Sequence, residues 1–368
     1  MSLTSYRAAP PRDWVGATAE PRGFHLARSC AEPQYPPSCG IGKVFRKNLC
    51  TPNKFWAVLT PVNAVENPMS LSRVQVRVPA STSNLGPGFD CLGLALQLYN
   101  TTTITRVDGA PMPDGMLGET ARAFFECATG GTIKPFGFEA RVEGDIPTSR
   151  GLGSSVTVRL GMLMGLAELV KDSFPVSREQ ILNLLIELEG HPDNAVPSFL
   201  GGFAVSSHAT DNPADGFTYT RVAVKPELSF VILIPDLKLS TETARGLLPK
   251  EVPFRHAVEN AQRTARIAAA FCTGDYPSLR GLFVDHLHQP FRQMLIPGFA
   301  SILAAARDAG SLGSFLSGAG SSLMALTLSN EEAISAAMLE AARKHNLPAR
   351  VIVLKADNDG AKIVDKPQ

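Results

Sequence analysis

The chain has 368 residues, enough for two domains of about 100–200 residues each, and its 44% hydrophobic content can fill a core. A net charge of +1 gives no basic surplus for nucleic acid or an acidic membrane, and no apolar run reaches the roughly 18 residues a membrane span needs. Six cysteines, at 30, 39, 50, 91, 127 and 272, keep no C-x-x-C spacing, which argues against a zinc site or a disulfide framework and fits a reducing, cytoplasmic compartment.

Residues 1–68 stand apart. They hold nine of the 28 prolines, three of the six cysteines, both tryptophans, and eight Lys/Arg against four Asp/Glu. No periodicity persists in them, so the segment is expected to be disordered or a non-native N-terminal extension, with Met69 as the natural start. An organellar transit peptide is the third reading. Regular patterning begins after Met69. Val74-Gln-Val-Arg-Val alternates as a half-buried strand, and Leu92–Tyr99 reads as a second strand after a Gly/Pro loop. A helix over 118–128 and a strand over 136–142 follow. Helices are expected over 154–170 and 177–189, with short strands near 202–206, 219–224 and 228–234. The second half reads as helices over 254–272 and 298–309, a strand over 322–328, a helix over 330–345 and a strand over 350–355. Strands and helices mix without a βαβ period, which favours an α+β fold over a doubly wound sheet.

Chemistry concentrates in six places. Pro79–Asp90 is a tight loop around Gly86, Pro87 and Gly88 that presents Asn84 and Asp90; alone it reads equally as a hairpin with an Asx turn. Pro147-Thr-Ser-Arg-Gly-Leu-Gly-Ser-Ser155 places two glycines ahead of an apolar helix, and the free N–H groups of a first helical turn favour an anion. It is not the commoner phosphate loop, because no lysine follows the second glycine. Glu187-Leu-Glu-Gly-His-Pro-Asp-Asn194 sets polar groups between apolar flanks, although Asp193 or Asn194 would also serve as a helix cap. Ser240-Thr-Glu-Thr-Ala-Arg245, with Thr241 as a candidate cap, and His288-Gln-Pro-Phe-Arg292 each supply an arginine. Two arginines converging on one pocket would clamp a carboxylate. Phe315–Ser322 is a second loop of small residues ahead of a strand.

In this order the six segments resemble the GHMP kinases, and within them the homoserine kinase family. Pro79–Asp90, Pro147–Ser155 and Ser317–Ser322 resemble the superfamily's three motifs; the other three segments resemble the homoserine kinases in particular. The resemblance spans about residues 73–355. It implies an N-terminal domain like those of ribosomal protein S5 and elongation factor G (69–225 here) and a ferredoxin-like C-terminal domain (226–368). It implies transfer of the ATP γ-phosphoryl to the hydroxyl of L-homoserine, with Mg²⁺, in threonine biosynthesis, and leaves a homodimer open. By position, Pro147, Arg150, Gly151, Leu152, Gly153, Ser154 and Ser155 would hold the nucleotide, and Ser155 and Glu189 the metal. Arg245 and Arg292 would grip the substrate carboxylate and Asp90 its ammonium. Asn84, His191, Asp193 and Asn194 would surround the rest of the substrate, with Asn194 nearest the reacting hydroxyl, and Gly318 and Gly320 would line the site.

The helix after the phosphate turn departs from the family's pattern. Where small residues are usual, it carries Val156-Thr-Val-Arg159, which puts tight packing behind the loop in doubt and requires Arg159 to meet solvent or a carboxylate. Two rival readings are a GHMP kinase for another hydroxylated metabolite, such as mevalonate or shikimate, and a non-catalytic binding protein on the same scaffold. The first would leave Asp90 without a cation; the second would be expected to lack Ser155 and Glu189.

Overall fold

A computed structural model of the chain describes residues 72–365 apart from 108, 213 and 214. The expectations for residues 1–68, including the start at Met69, lie outside the described residues. In chain order the elements are β1 (Arg73–Ser83), β2 (Leu92–Arg106), α1 (Gly115–Ala123), β3 (Phe138–Gly144), α2 (Ser154–Val170), α3 (Arg178–Glu189), α4 (Pro192–Leu200), β4 (Phe203–His208) and β5 (Phe217–Val222). They continue with β6 (Ser229–Pro235), α5 (Thr241–Gly246), α6 (Phe254–Thr273), α7 (Gln289–Arg292), α8 (Phe299–Asp308), β7 (Gly313–Leu316), β8 (Leu323–Thr327), α9 (Glu331–Lys344), β9 (Ala349–Leu354) and β10 (Lys362–Asp365).

The strands form two antiparallel sheets. The first runs β10-β1-β2-β4-β5, with β3 also on β2; the second runs β7-β8-β6-β9. β6 shows how the layers join. Its seven residues are all buried, and successive side chains point to opposite faces. Phe230, Ile232 and Ile234 enter a core shared with Leu92, Leu94 and Phe203 of the first sheet, while Val231 and Leu233 enter a core under α8 and α9. A third core lies on the far face of the first sheet, where Val74, Val76 and Val78 meet α1, α2 and α3.

Two local features aim residues at the site. In β1 the pairing with β2 slips between Pro79 and Ala80. Proline cannot donate to a ladder and a bulge accommodates it, and Ser81, Thr82 and Ser83 follow at once. In α2, a Cβ on Gly161 would lie 2.2 Å from Thr102 Oγ1, so the glycine allows the helix to lie directly on β2. Two of the residues that departed from the family's pattern, Val156 and Thr157, pack well here. Val156 is buried, and the hydroxyl of buried Thr157 accepts from Asn100 Nδ2 and donates to the Ser154 carbonyl.

Candidate active site

The phosphate turn needs both its glycines. Gly151 and Gly153 have φ of 73° and 68°, in the left-handed region. A Cβ on Gly151 would lie 2.1 Å from the Ser317 carbonyl, and one on Gly153 would lie 2.4 Å from Ser81 Oγ. Gly153 caps α2, whose 17 residues begin at Ser154 and Ser155. Leu152 is buried and anchors the turn, and its carbonyl accepts the Ser81 N–H at 3.2 Å. Arg150 turns away from the glycines: its Nε donates to the Pro235 carbonyl at 2.8 Å, and its Nη2 meets Asp236. Pro147 and Arg150 border a cavity of ≈ 280 Å³ beside Pro235 and Pro348.

The three loops the sequence singled out are stitched together. Ser317 Oγ lies 2.6 Å from the Gly151 carbonyl and 2.8 Å from Thr82 Oγ1. The Gly318 N–H donates to Ser83, and the Ser322 N–H donates to Arg150. Asn194 ties α4 to the same strand. Its Nδ2 donates to Ser81 Oγ at 3.0 Å, and its Oδ1 accepts from Ser83 Oγ at 2.9 Å. Asn84 and Asp90 take left-handed φ of 57° and 51°, which these residue types tolerate. Asn84 Oδ1 accepts the Asp90 N–H at 2.8 Å, closing the loop on itself.

Beside the turn, Ser155 Oγ donates to Glu189 Oε2 at 2.9 Å. Glu189 ends α3, and Gly190 then reverses the chain in the left-handed conformation. His191, and not the side chain of Asp193 or Asn194, occupies the N-cap position of α4, with Pro192 at the first helical position. Asp193 and Asn194 therefore sit inside the first turn, facing the site. His191 Nδ1 lies 2.6 Å from Asp193 Oδ1, while Asp193 Oδ2 is buried without a hydrogen-bond partner. Burial works against protonation of His191, but the hydrogen bond and charge of Asp193 outweigh it and hold its pKa above the usual value. In α5 the cap is Ser240, not Thr241: its hydroxyl accepts the Thr243 N–H.

The arginines converge at the far end. Arg245 makes a bidentate pair with Asp90, at 2.6 and 3.0 Å. Arg292 is 1% exposed, and its charge meets neutral acceptors, the carbonyls of Ala244 and Gly318. It forms no ion pair with any carboxylate among the described residues. Burial, followed by the neighbouring Arg245 charge, pushes its pKa down to about 10. Both guanidinium groups lie over the Phe89 ring, at 5.4 and 5.3 Å.

The N-terminal part matches the family model for the GHMP kinases N terminal domain over residues 116–202, and the model for the GHMP kinases C terminal matches residues 267–344. A homoserine kinase of Clostridium beijerinckii is 37% identical over 300 residues, covering 79% of this chain and 99% of its own. A homoserine kinase of Aquifex aeolicus is 35% identical, with the same coverage of each chain. The chain belongs to the homoserine kinase family of the GHMP kinases. Among solved structures, the homoserine kinase of Cytophaga hutchinsonii shares the fold, with a TM-score of 0.70 at 24% identity over 82% of this chain and 100% of that one. A mevalonate kinase of L. major also shares the fold, with a TM-score of 0.61 at 14% identity over 79% and 98%.

Within this kinase family the nucleotide is ATP. The residues present fit a Mg²⁺ ion beside it. At phosphate sites Mg²⁺ takes one or two protein ligands and completes its shell with phosphate and water. Ser155 and Glu189 supply a hydroxyl and a carboxylate at the first turn of α2, and Glu189 Oε1 is buried with no hydrogen-bond partner. No group of three or more His, Cys, Asp or Glu among the described residues forms a cage for a metal.

A support layer went unassigned in the sequence. His288 is fully buried, stacks on Phe89, and approaches the Gly86 carbonyl with Nε2 at 2.7 Å and Arg292 Nη1 with Nδ1 at 3.3 Å. Asp285 accepts the N–H groups of Leu287, His288 and Gln289 and the amide of Asn260, which also reaches Pro87. The signal lay in the His288–Arg292 run itself. Its histidine and arginine are four apart and share a helix face.

Proposed function

We propose that the protein transfers the γ-phosphoryl group of ATP to the side-chain hydroxyl of L-homoserine, giving O-phospho-L-homoserine for threonine biosynthesis. The observation that carries this reading is the Asp90–Arg245 pair set against buried Arg292 on a Phe89 plate. An amino acid brings one anion and one cation. Its carboxylate takes the guanidinium groups of Arg245 and Arg292, and its ammonium takes the carboxylate that Arg245 releases. The exchange leaves the net charge of the pocket unchanged and gives Arg292, which otherwise meets only carbonyls and a histidine nitrogen, a carboxylate to pair with.

Phosphoryl transfer through a loose transition state asks for alignment and charge neutralisation more than covalent chemistry. The N–H groups of Gly151–Ser155 and the start of α2 receive the phosphates. Pro147, Arg150 and Leu152 hold the turn that presents them. Mg²⁺, when bound by Ser155 and Glu189, supplies charge neutralisation on the phosphate oxygens. Gly318 and Gly320 let the third loop approach the substrate. Asn84 shapes the loop that carries Asp90, and Asn194 orients the hydroxyl from the first turn of α4. Asp193 offers a buried, unpartnered carboxylate oxygen for the hydroxyl proton, with His191 fixing its other oxygen. A strong base is not required by such a transition state.

Mevalonate or shikimate brings a carboxylate for the arginines but no cation for Asp90, so Arg245 would have to stay with Asp90 and only Arg292 would be free to bind the substrate. Coupled ADP release with homoserine, threonine and mevalonate tests the reading. Turnover with homoserine at the highest kcat/KM is the expected result. Absence of ADP release with homoserine refutes it.

A further inference from the structure

Arg159 lies one helical turn after Ser155, on the same face of α2. Its Nε sits 2.9 Å from Glu189 Oε1, while Ser155 holds Oε2. The side chains of Arg159 and Glu189 are 14% and 8% exposed, so the ion pair is largely withdrawn from water. Yet neither Nε nor Oε1 makes a hydrogen bond, so the contact is one of charge without alignment. The other end of the guanidinium points to α1. Nη1 lies 3.4 Å from Thr120 Oγ1, and Nη2 lies 3.8 Å from the carboxylate of Glu119, which is exposed. Arg159 therefore stands between a buried carboxylate at the phosphate turn and a solvated one outside it.

We propose that Arg159 is the resident counter-ion of Glu189, and that it competes with the catalytic divalent cation for that carboxylate, yielding toward Glu119 when the cation binds. This rests on the reading of Glu189 as a metal ligand. A buried carboxylate is costly when uncompensated. Arg159 covers that cost before nucleotide and metal arrive, and a divalent cation covers it afterwards. With both cations on one carboxylate, their mutual repulsion weakens the metal. Ser155 and the end of α3 hold Glu189 in place without the arginine, so its loss removes a competing charge more than it removes a support.

The test is Mn²⁺ binding to the full chain, followed by electron paramagnetic resonance at saturating non-hydrolysable ATP analogue, with melting curves alongside. Arg159→Gln is expected to bind Mn²⁺ on the order of tenfold tighter. It should melt lower without metal and gain more from Mn²⁺ with the analogue than the parent protein does. Arg159→Lys, which keeps the charge, should bind like the parent. Glu119→Gln, which removes the outer resting place, should bind a few-fold more weakly and decides the matter if Arg159→Gln does not fold. Unchanged or weaker Mn²⁺ binding by Arg159→Gln, or unchanged binding by Glu119→Gln in its place, overturns the proposal. Glu189→Gln separates the two levels. Loss of Mn²⁺ binding upholds the ligand reading whatever Arg159 does, and full retention removes that reading and this proposal with it.

Discussion

Asp90 and Arg245 neutralise each other while Arg292 keeps a buried charge without a carboxylate, and that asymmetry defines what the pocket lacks. An amino acid supplies it. Asp90→Asn should therefore raise the KM for homoserine by more than tenfold, since a charged hydrogen bond is worth about 1.5–3 kcal/mol, while the KM for ATP changes little. Steady-state kinetics with each substrate varied checks the split. The His191–Asp193 pair gives a pH signature. Because the folded pKa of His191 is raised, the pair's contribution is complete below the unfolded value of about 6.5 and fades as pH rises through the folded value. The melting-temperature gap between the parent protein and His191→Gln should be widest near pH 6 and narrow in alkali. An invariant gap would contradict it. These residues were legible in the sequence because charge and glycine in short apolar settings already constrain chemistry. Arg159 was legible only as a choice between solvent and a carboxylate. Its partner lies thirty residues away and depends on how α2 meets α3, which no local pattern encodes.

Helix α2 carries the site at its first turn and the first sheet's packing along its length. Gly161→Ala would push a methyl against Thr102, whose Oγ1 lies 2.2 Å from the ideal Cβ position. Such overpacking costs about 1–3 kcal/mol, and because the strain reaches the phosphate turn through one rigid helix, denaturant midpoint and ATP affinity should fall together. Long periodic elements were readable from sequence: α2, α3, α6 and α9 fall within a residue or two of expectation. The misses have physical causes. β2 runs on past Tyr99 to Arg106 through Asn100-Thr-Thr-Thr-Ile-Thr-Arg, which is polar but β-branched and is held between β1 and β3. The end of α1 widens into a π-helical turn over Phe124–Ala128. β7 and β10, four residues each, are too short to show a period.

Across the whole described molecule, the two sheets share a core, and the motifs of the site come from both ends of the sequence. The chain leaves the second sheet after β9 and returns. Asp357 accepts the Tyr99 hydroxyl at 2.8 Å and the N–H groups of Asp359 and Gly360, Asn358 bonds Val224 twice, and β10 pairs with β1. Truncation after Leu354 should therefore lower the melting temperature by several degrees, because it removes several buried hydrogen bonds and a strand pairing at once, and each kcal/mol lost moves the midpoint by about 2 °C or a little less in a chain larger than about 250 residues. It should also weaken activity, since β1, on which β10 pairs, carries Ser81 and Ser83 at its end. No helix of the described residues is long and apolar enough to cross a membrane. In the proposed reaction the γ-phosphoryl group of ATP ends on the side-chain hydroxyl of homoserine. Phosphorus-31 NMR of a reaction with ATP, Mg²⁺ and L-homoserine reads this directly. The expected result is a new phosphomonoester resonance, coupled to the side-chain methylene, growing in step with ADP. Inorganic phosphate alone, or no change in the ATP resonances, would contradict it.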